Sequence, residues 1–189
     1  TEKTSGTVVT RSGRSKKDNC LSVTVNRKAG SQDYDGVWDI SGKQLHFSKK
    51  INGVSTNTAY YDFASYIPAA GDYEIAFGIK PGLKQANTNV NIALGAYFSI
   101  QATSSDAASC SLGYHNKTEW VWTEQTYDFS DFRHIKLRVK RQGEGFPLVD
   151  FYLRNADGEE ELLFSDVPYR YDSAAEATRL ELVVGKSLT

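Results

Sequence analysis

The sequence predicts an all-β protein built as a two-sheet antiparallel β-sandwich, and three observations lead to this class. Short runs in which apolar and polar residues alternate recur along the chain, as at Ile135–Lys140 and Val149–Arg154. Turn signals rich in glycine, proline, asparagine and serine separate these runs. No run keeps the 3.6-residue apolar period of an amphipathic helix. About ten short strands at regular spacing are typical of an antiparallel sandwich or barrel.

Length and charge predict the number of domains and limit the kinds of partner. The chain has 189 residues, and we assign residues 1–189 to a single sandwich domain. Residues 1–19 are polar, and we expect them to form a loosely held N-terminal segment. A net charge of −1 argues against binding to nucleic-acid phosphates, so no nucleic-acid partner is expected. No apolar run reaches the length of a membrane span.

The first third of the chain contains several short strand signals. Thr7–Thr10 is a candidate short strand, and Leu21–Val25 alternates cleanly enough to predict another. Val37–Ile40 and Gln44–Ser48 predict a hairpin around a Ser-Gly-Lys turn. Tyr60–Phe63 is compatible with a short strand or with one turn of helix.

Apolar and polar residues alternate more strictly in the middle of the chain. A break at Pro68–Gly71 precedes the alternating run Tyr73–Ile79. Alternation then continues without interruption over Asn89–Gln101, which predicts the longest strand of the chain. Two further strands are predicted at Ser109–Tyr114 and Glu119–Thr123.

The region from Phe132 to Asp166 reads as a three-stranded antiparallel meander with one apolar and one charged face. A last strand is predicted around Leu180–Val184, after a loop with a possible helical turn at Ala174–Ala177. Because an apolar sheet face must be covered, the rest of the chain has to supply a second sheet. The predicted core contains Ile75, Phe77, Ile79, Ile92, Leu94, Phe98, Leu137, Val139, Val149, Phe151 and Leu182.

The two cysteines, Cys20 and Cys110, do not form a CxxC pair, so no metal site is expected from them. Two buried thiols are one interpretation. The other, which we predict, is a single disulfide, worth about 4–5 kcal/mol in the chain-entropy model. The glycosylation triplet Asn116-Lys117-Thr118 agrees with a secreted or cell-surface protein.

Small residues lie at the middle of two predicted strands, at Ala76, Gly78, Ala93 and Gly95. A mid-strand glycine often marks the close approach of a ligand or of another backbone. One hypothesis is therefore an open groove with these four residues as its floor; the other is a loop that covers them. Polar residues of the meander would form the walls of the groove or a solvated face: His134, Lys136, Arg138, Lys140, Asp150, Tyr152 and Arg154. Cross-strand pairs such as Arg138 with Asp150 would accompany the solvated face.

Trp120 and Trp122 are two residues apart on a predicted strand and should point to the same side. They are either core anchors or a platform on which sugar rings stack. Tyr114 precedes the same turn and is a candidate to join them.

Four stretches together resemble the concanavalin A-like lectin/glucanase superfamily, including its laminin-G-like modules. They are GDYEIAFGIKP, NVNIALGAYFSI, FRHIKLRVKR and VDFYLRNADGEE. The resemblance implies a jelly-roll sandwich that binds carbohydrate. The Glu-x-Asp-x-x-Glu motif of the glucanases is absent, and so is a lectin-type metal loop rich in Asp and Asn. We therefore expect no metal and no cofactor.

Three functions follow as hypotheses. The first is a non-catalytic carbohydrate-binding module, secreted or on the cell surface, for a neutral or an anionic polysaccharide. The second is a polysaccharide lyase or glycoside hydrolase on the same scaffold, using residues such as Tyr97, Gln101, His134, Arg138 and Tyr152. The third is a structural or protein-interaction domain. The predicted ligand-binding residues are Tyr97, Gln101, Trp120, Trp122, His134, Arg138, Tyr152 and Arg154; catalytic residues are left unassigned.

Overall fold

The computed structural model describes residues 6–11, 20–25, 36–41, 44–49, 57–64, 67–172 and 175–185. Side chains are described for residues 63, 64, 67–172 and 175–183. The described parts contain fourteen strands and no α-helix. The strands are β1 (Gly6–Arg11), β2 (Cys20–Val25), β3 (Gly36–Ser41), β4 (Gln44–Lys49), β5 (Asn57–Asp62), β6 (Tyr73–Ile79), β7 (Asn89–Leu94), β8 (Ala96–Ala102), β9 (Cys110–His115), β10 (Trp120–Tyr127), β11 (Arg133–Lys140), β12 (Leu148–Arg154), β13 (Glu160–Val167) and β14 (Arg179–Gly185).

The strands form an eight-stranded sheet, a four-stranded sheet and a separate hairpin. The large sheet has the order β1-β2-β5-β14-β7-β8-β9-β10, and the small sheet has the order β13-β12-β11-β6. The hairpin β3–β4 has Ser41 opposite Gln44, as predicted. Neighbouring strands are antiparallel throughout these pairings. The strand content and the antiparallel pairing therefore confirm the prediction of an all-β antiparallel sandwich. The expectation for residues 1–19 stays a prediction, because only β1 of that segment is described.

The core lies between the large sheet and the small sheet and is rich in phenylalanine. The ring of Phe98 on β8 lies 5.0 Å, between centroids, from that of Phe151 on β12, and 6.3 Å from that of Phe164 on β13. Ile75, Phe77 and Leu182 are half-buried and pack against this core. The other predicted core residues are buried, namely Ile79, Ile92, Leu94, Phe98, Leu137, Val139, Val149 and Phe151. Strand alternation therefore assigned the apolar face correctly.

The predicted meander exists as β11, β12 and β13, and β6 joins it on the far side of β11. Leu137 lies opposite Phe151 on one side and opposite Ile75 on the other. Apolar cross-strand pairs such as Leu137 with Phe151 alternate with charged pairs such as Arg138 with Asp150. One face of the small sheet is therefore apolar and the other is charged.

The prediction of one long strand over Asn89–Gln101 is wrong. This stretch is a hairpin in which β7 and β8 pair, with Ala93 opposite Tyr97. Gly95 lies at the turn with φ +71, a backbone conformation that favours glycine. The turn is centred on a single residue, so the apolar alternation continues through it in phase. Periodicity alone could not detect the reversal.

The groove floor predicted from four small residues is also wrong. Ala76 and Gly78 lie on β6 of the small sheet, whereas Ala93 and Gly95 lie in the large sheet. The outward sides of the two sheets are on opposite faces of a sandwich. Strand β11 of the meander pairs with β6, which carries Ala76 and Gly78. The outer face of that sheet is not the face on which Ala93 and Gly95 lie.

A segment after β13, here called the cover segment (residues 168–172 and 175–178), closes over Gly95. The backbone N–H of Arg170 donates to the Gly95 carbonyl at 2.9 Å, and the Tyr169 ring lies against Gly95. Tyr73 Oη and Arg141 Nε both donate to Glu176 Oε1, at 3.1 and 3.2 Å. The covering-loop interpretation therefore holds at this position. Residues 175–177 are not helical, and Ala174 lies outside the described residues.

The predicted Cys20–Cys110 disulfide is wrong for this fold. Cys110 is a buried free thiol. Its strand, β9, is five strands away from β2, which carries Cys20. At a strand spacing of about 4.8 Å this is roughly 24 Å, far beyond the reach of a disulfide.

We expect Gly95→Ala to lower the free energy of unfolding by about 2–5 kcal/mol. Alanine disfavours the positive φ, and its Cβ would overlap the Tyr169 ring. Gly82 also has a positive φ, of +60, but no atom lies within 4 Å of where its Cβ would be. Gly82→Ala should therefore cost only about 1–2 kcal/mol. Urea denaturation measures both, and equal costs would show that the Tyr169 contact contributes nothing.

A second prediction concerns the thiols. Burial, with the nearby carboxylates of Asp128 and Asp106, raises the pKa of the Cys110 thiol to about 11. Since the thiolate is the reactive form, native Cys110 should not react with a thiol reagent at pH 8. In denaturant without reductant, titration should find two free thiols per chain. Finding none would contradict the strand order.

Candidate functional site

Aromatic side chains line the outward side of one margin of the large sheet. Trp120 on β10 lies opposite His115 on β9, and Trp122 lies opposite Gly113. Phe98 on β8 pairs with Tyr114, which places Tyr97 beside His115 on the outward side. The strands β8, β9 and β10 therefore present Tyr97, His115 and Trp120 as one outward row.

The two tryptophans are not core residues. Their ring centroids lie 5.6 Å apart with an interplanar angle of 26°. The Trp122 side chain is 38% exposed, and Trp120 is half-buried. Trp122 lies flat over Gly113, where an added Cβ would come within 2.6 Å of its Cε3 atom. Glycine at 113 thus provides the space in which the indole rests. The predicted common direction of the two side chains is confirmed.

Arg170 of the cover segment lies among these rings. Its guanidinium carbon is 4.9 Å from the ring centroid of Tyr97, 5.1 Å from that of Tyr171 and 5.6 Å from that of Trp120. Its Nε is buried and has no hydrogen-bond partner in the described part of the chain. We call Tyr97, His115, Trp120, Trp122 and Tyr171, with Arg170 at their centre, the aromatic platform. In the described part of the chain, the cation is held by cation–π contacts to several rings and not by an acidic side chain.

His115 is the platform's buried titratable group. Burial and the positive charge of Arg170 lower its pKa. Its Nδ1 accepts a hydrogen bond from the backbone N–H of Lys117 at 3.2 Å, which requires the unprotonated nitrogen. Its ring meets Trp120 edge-on, with centroids 5.3 Å apart. His115 is therefore neutral at pH 7.

A cavity of about 320 Å³ adjoins the platform. Its lining combines outward residues of β7, β8 and β14 with residues of the cover segment, and it shares Tyr97 and Tyr171 with the platform. Glu181 contributes a carboxylate to it, and burial together with this carboxylate raises the pKa of Tyr97. Glu176 also lines the cavity but is engaged by Tyr73 and Arg141.

The predicted binding residues divide between the two outer faces. Tyr97, Trp120 and Trp122 belong to the platform. Gln101 lies on the same face of β8, four residues beyond Tyr97, where its Nε2 donates to Asn87 Oδ1 at 3.4 Å. The other four predicted residues lie on strands of the small sheet and face outward on the opposite side: His134, Arg138, Tyr152 and Arg154.

The charged face of the small sheet pairs its own residues. Arg138 lies opposite Asp150 in the register of β11 and β12, as the sequence suggested, but its ion pair is with Asp72, at 3.5 Å from NH2. Asp150 is buried and lies 2.7 Å from Lys140 Nζ. Lys136 Nζ lies 4.5 Å from the Tyr152 ring centroid. These contacts are those of a solvated charged face rather than of a groove wall.

The constellation considered for a lyase does not assemble. Tyr97 and Gln101 are on the large sheet, whereas His134, Arg138 and Tyr152 are on the small one. Groups on opposite faces of a sandwich cannot act on one bond. Tyr114 does not join the tryptophans either, because its ring packs inward, 4.9 Å from Phe164.

Sequence reasoning missed His115, Arg170 and Tyr171 as platform residues. His115 had a signal, since it continues the outward alternation of its strand one residue beyond the predicted end. Arg170 and Tyr171 had none, because they lie in a loop whose course depends on tertiary contacts with Gly95 and Trp120.

No protein-family model, curated protein or solved structure matches this chain. Within the described residues, no group of three or more His, Cys, Asp or Glu side chains is arranged to hold a metal ion. The same residues include no helix of the length and apolarity needed to cross a membrane. The site must therefore be interpreted from its own geometry.

The depressed pKa of His115 predicts a pH dependence of stability. Below about pH 6.5 the unfolded chain binds a proton at this position while the folded chain resists it. The unfolded state then holds more protons, so the free energy of unfolding falls as the pH falls through this window. His115→Asn should reduce the slope between pH 6.5 and 5 in urea denaturation, whereas the slope should persist in His134→Asn. An unchanged slope in His115→Asn would contradict the assignment.

Proposed function

We propose that this protein is a non-catalytic carbohydrate-binding module and that the aromatic platform is its binding surface. The observation that carries the proposal is the pair of outward, nearly parallel indoles of Trp120 and Trp122 beside the guanidinium of Arg170. Flat rings offer an apolar face with a polar edge, which matches the alternating C–H and O–H surfaces of a sugar.

The rigidity of the platform supports binding. Trp122 rests on Gly113 of the neighbouring strand, and Trp120 is held by Trp122, His115 and Arg170. Side chains that are fixed before binding lose little conformational entropy on contact with a ligand. Sites built on strands are also held more precisely than sites on loops.

The polar groups of the platform suit hydroxyl recognition. The guanidinium of Arg170 is a hydrogen-bond donor, and because its Nε is buried, its terminal nitrogens are the ones that a ligand would contact. The Tyr97 hydroxyl, whose pKa is raised, stays protonated at neutral pH and both donates and accepts. A ligand with many hydroxyls satisfies such groups while its C–H face covers the indoles.

The finer fold assignment belongs to the same proposal. A jelly-roll sandwich of the concanavalin A-like kind, on a secreted or cell-surface protein, is a natural context for a carbohydrate platform. Two packed antiparallel sheets and the four stretches quoted above support it. The proposal also changes the expected basic residue of the binding site, because Arg170 now has the role that the sequence predicted for Arg138.

A glycan array with the labelled protein tests the proposal, and Trp122→Ala gives the sharpest variant. Removing the exposed indole should weaken binding to the best glycan at least tenfold, or about 1.4 kcal/mol, because it removes the central stacking surface. Phe132→Ala is the matched control. Phe132 is 46% exposed and packs near Gly78 of the small sheet, so its removal should leave binding unchanged.

Arg138→Ala, on the opposite face, should also leave glycan binding unchanged. A loss in Arg138→Ala with none in Trp122→Ala would move the site to the small sheet. If the parent protein binds no glycan on the array, the protein-interaction function replaces this proposal. Circular dichroism of each variant separates loss of binding from loss of folding.

A further inference from the structure

We infer that the cavity beside the aromatic platform is a subsite for one neutral monosaccharide unit, which Glu181 recognises by accepting hydrogen bonds from its hydroxyls. This inference rests on the proposed carbohydrate-binding function and specifies how the glycan is held. The platform would bear the rest of the glycan, across Tyr97 and Tyr171, which the cavity and the platform share.

Size limits what the cavity can hold. At about 320 Å³ it lies at the small end of ligand pockets, which range over about 300–1,000 Å³. Ala93 and Gly95 form part of its sheet side, with the Tyr169 ring packed over Gly95 and only a methyl group at Ala93. The cover segment forms the other side, tied down where Tyr73 and Arg141 donate to Glu176. A single sugar ring suits this space, and further units would lie outside it, over the platform.

The polar lining determines the chemistry of the unit. A carboxylate only accepts hydrogen bonds. Glu181 is half-buried in the cavity, where its carboxylate lies close enough to Tyr97 to help raise the pKa of that hydroxyl. The second carboxylate, Glu176, already accepts from two donors, and Arg179 also lines the cavity. Sugar hydroxyls can donate to the Glu181 carboxylate, and its negative charge disfavours a unit that carries its own carboxylate.

The rings of Tyr97 and Tyr171 supply the apolar contact. They meet edge-to-face, with centroids 5.8 Å apart, and both line the cavity. Tyr171 is 58% exposed, so a ligand can cover area that now faces water. A bound ring would thus have a carboxylate on one side and aromatic carbon on another.

The test is a titration of the ¹⁵N-labelled protein with four monosaccharides, followed by NMR: glucose, galactose, mannose and N-acetylglucosamine, each at millimolar concentration. At least one should shift the backbone amides of Ala93, Thr178 and Glu181 in a saturable way. Glucuronic acid, the anionic counterpart of glucose, should bind more weakly than the best of the four. If none of the four shifts these amides, or if glucuronic acid binds best, the inference is overturned.

Two variants isolate the subsite. Glu181→Gln keeps the shape but removes the charge, and should weaken monosaccharide binding about tenfold because hydrogen bonds to charged acceptors are stronger. Thr178→Phe places a large ring at an exposed position of the lining and should abolish the shifts. Gly143→Ala is the control, since Gly143 is exposed and no atom lies within 4 Å of the added Cβ.

The result is independent of the platform test. If Glu181→Gln binds the monosaccharide as tightly as the parent, the subsite is wrong even where Trp122→Ala loses the glycan. If Trp122→Ala keeps the glycan while the monosaccharide still shifts the cavity amides, the platform is wrong and the subsite stands alone.

Discussion

The tight turn at Gly95 is the constraint from which the geometry of the site follows. Its positive φ reverses the chain, so that β7 and β8 pair and Tyr97 comes to lie opposite Ala93. The absence of a side chain lets Tyr169 pack directly on the turn, and the Gly95 carbonyl accepts from the Arg170 N–H. Because Arg170 is fixed there, its guanidinium reaches the rings of Tyr97, Tyr171 and Trp120. A single backbone reversal thus positions residues from three parts of the chain.

The two outer faces of the sandwich have different electrostatic characters. On the small sheet, charges neutralise one another at short range: Lys136 with Glu160, and Lys140 with Asp150 and Asp166. On the large sheet, the described neighbours of the platform's cation are aromatic rings. Exposed ion pairs contribute little to stability, but they leave few charges free to attract a ligand. Because the platform sets its cation against aromatic rings that are partly exposed, the platform, and not the charged face, is the better candidate site.

Sequence patterns predicted the strands better than the way in which strands combine. The apolar alternation of Tyr73–Ile79 and of the meander gave the correct buried face, because burial on one side of a strand has a period of two regardless of its neighbours. The same period could not tell which sheet a strand joins. Ala76 and Ala93 look alike in the sequence, yet they lie on opposite faces.

The site was only half predictable for the same reason. Trp120 and Trp122 could be placed on one side of a strand from their spacing. Whether that side faced solvent depended on Phe98 and Tyr114 packing inward against Phe164 on the small sheet. Arg170 could not be found at all, since a loop carries no periodic signal and its position depends on long-range contacts with Gly95.

The margin of the large sheet has a further consequence for association. β10 is the last strand in the order, and its pairing with β9 shifts register between Trp122 and Thr126. Within this irregular stretch Thr123 Oγ1 accepts from the Leu112 N–H at 3.1 Å and donates to the Gln125 carbonyl at 2.8 Å. A bulged edge of this kind is a poor template for another β-strand, so a second chain cannot readily extend the sheet there. The tryptophans can therefore stay exposed at this margin of the described sheet without inviting edge-to-edge aggregation.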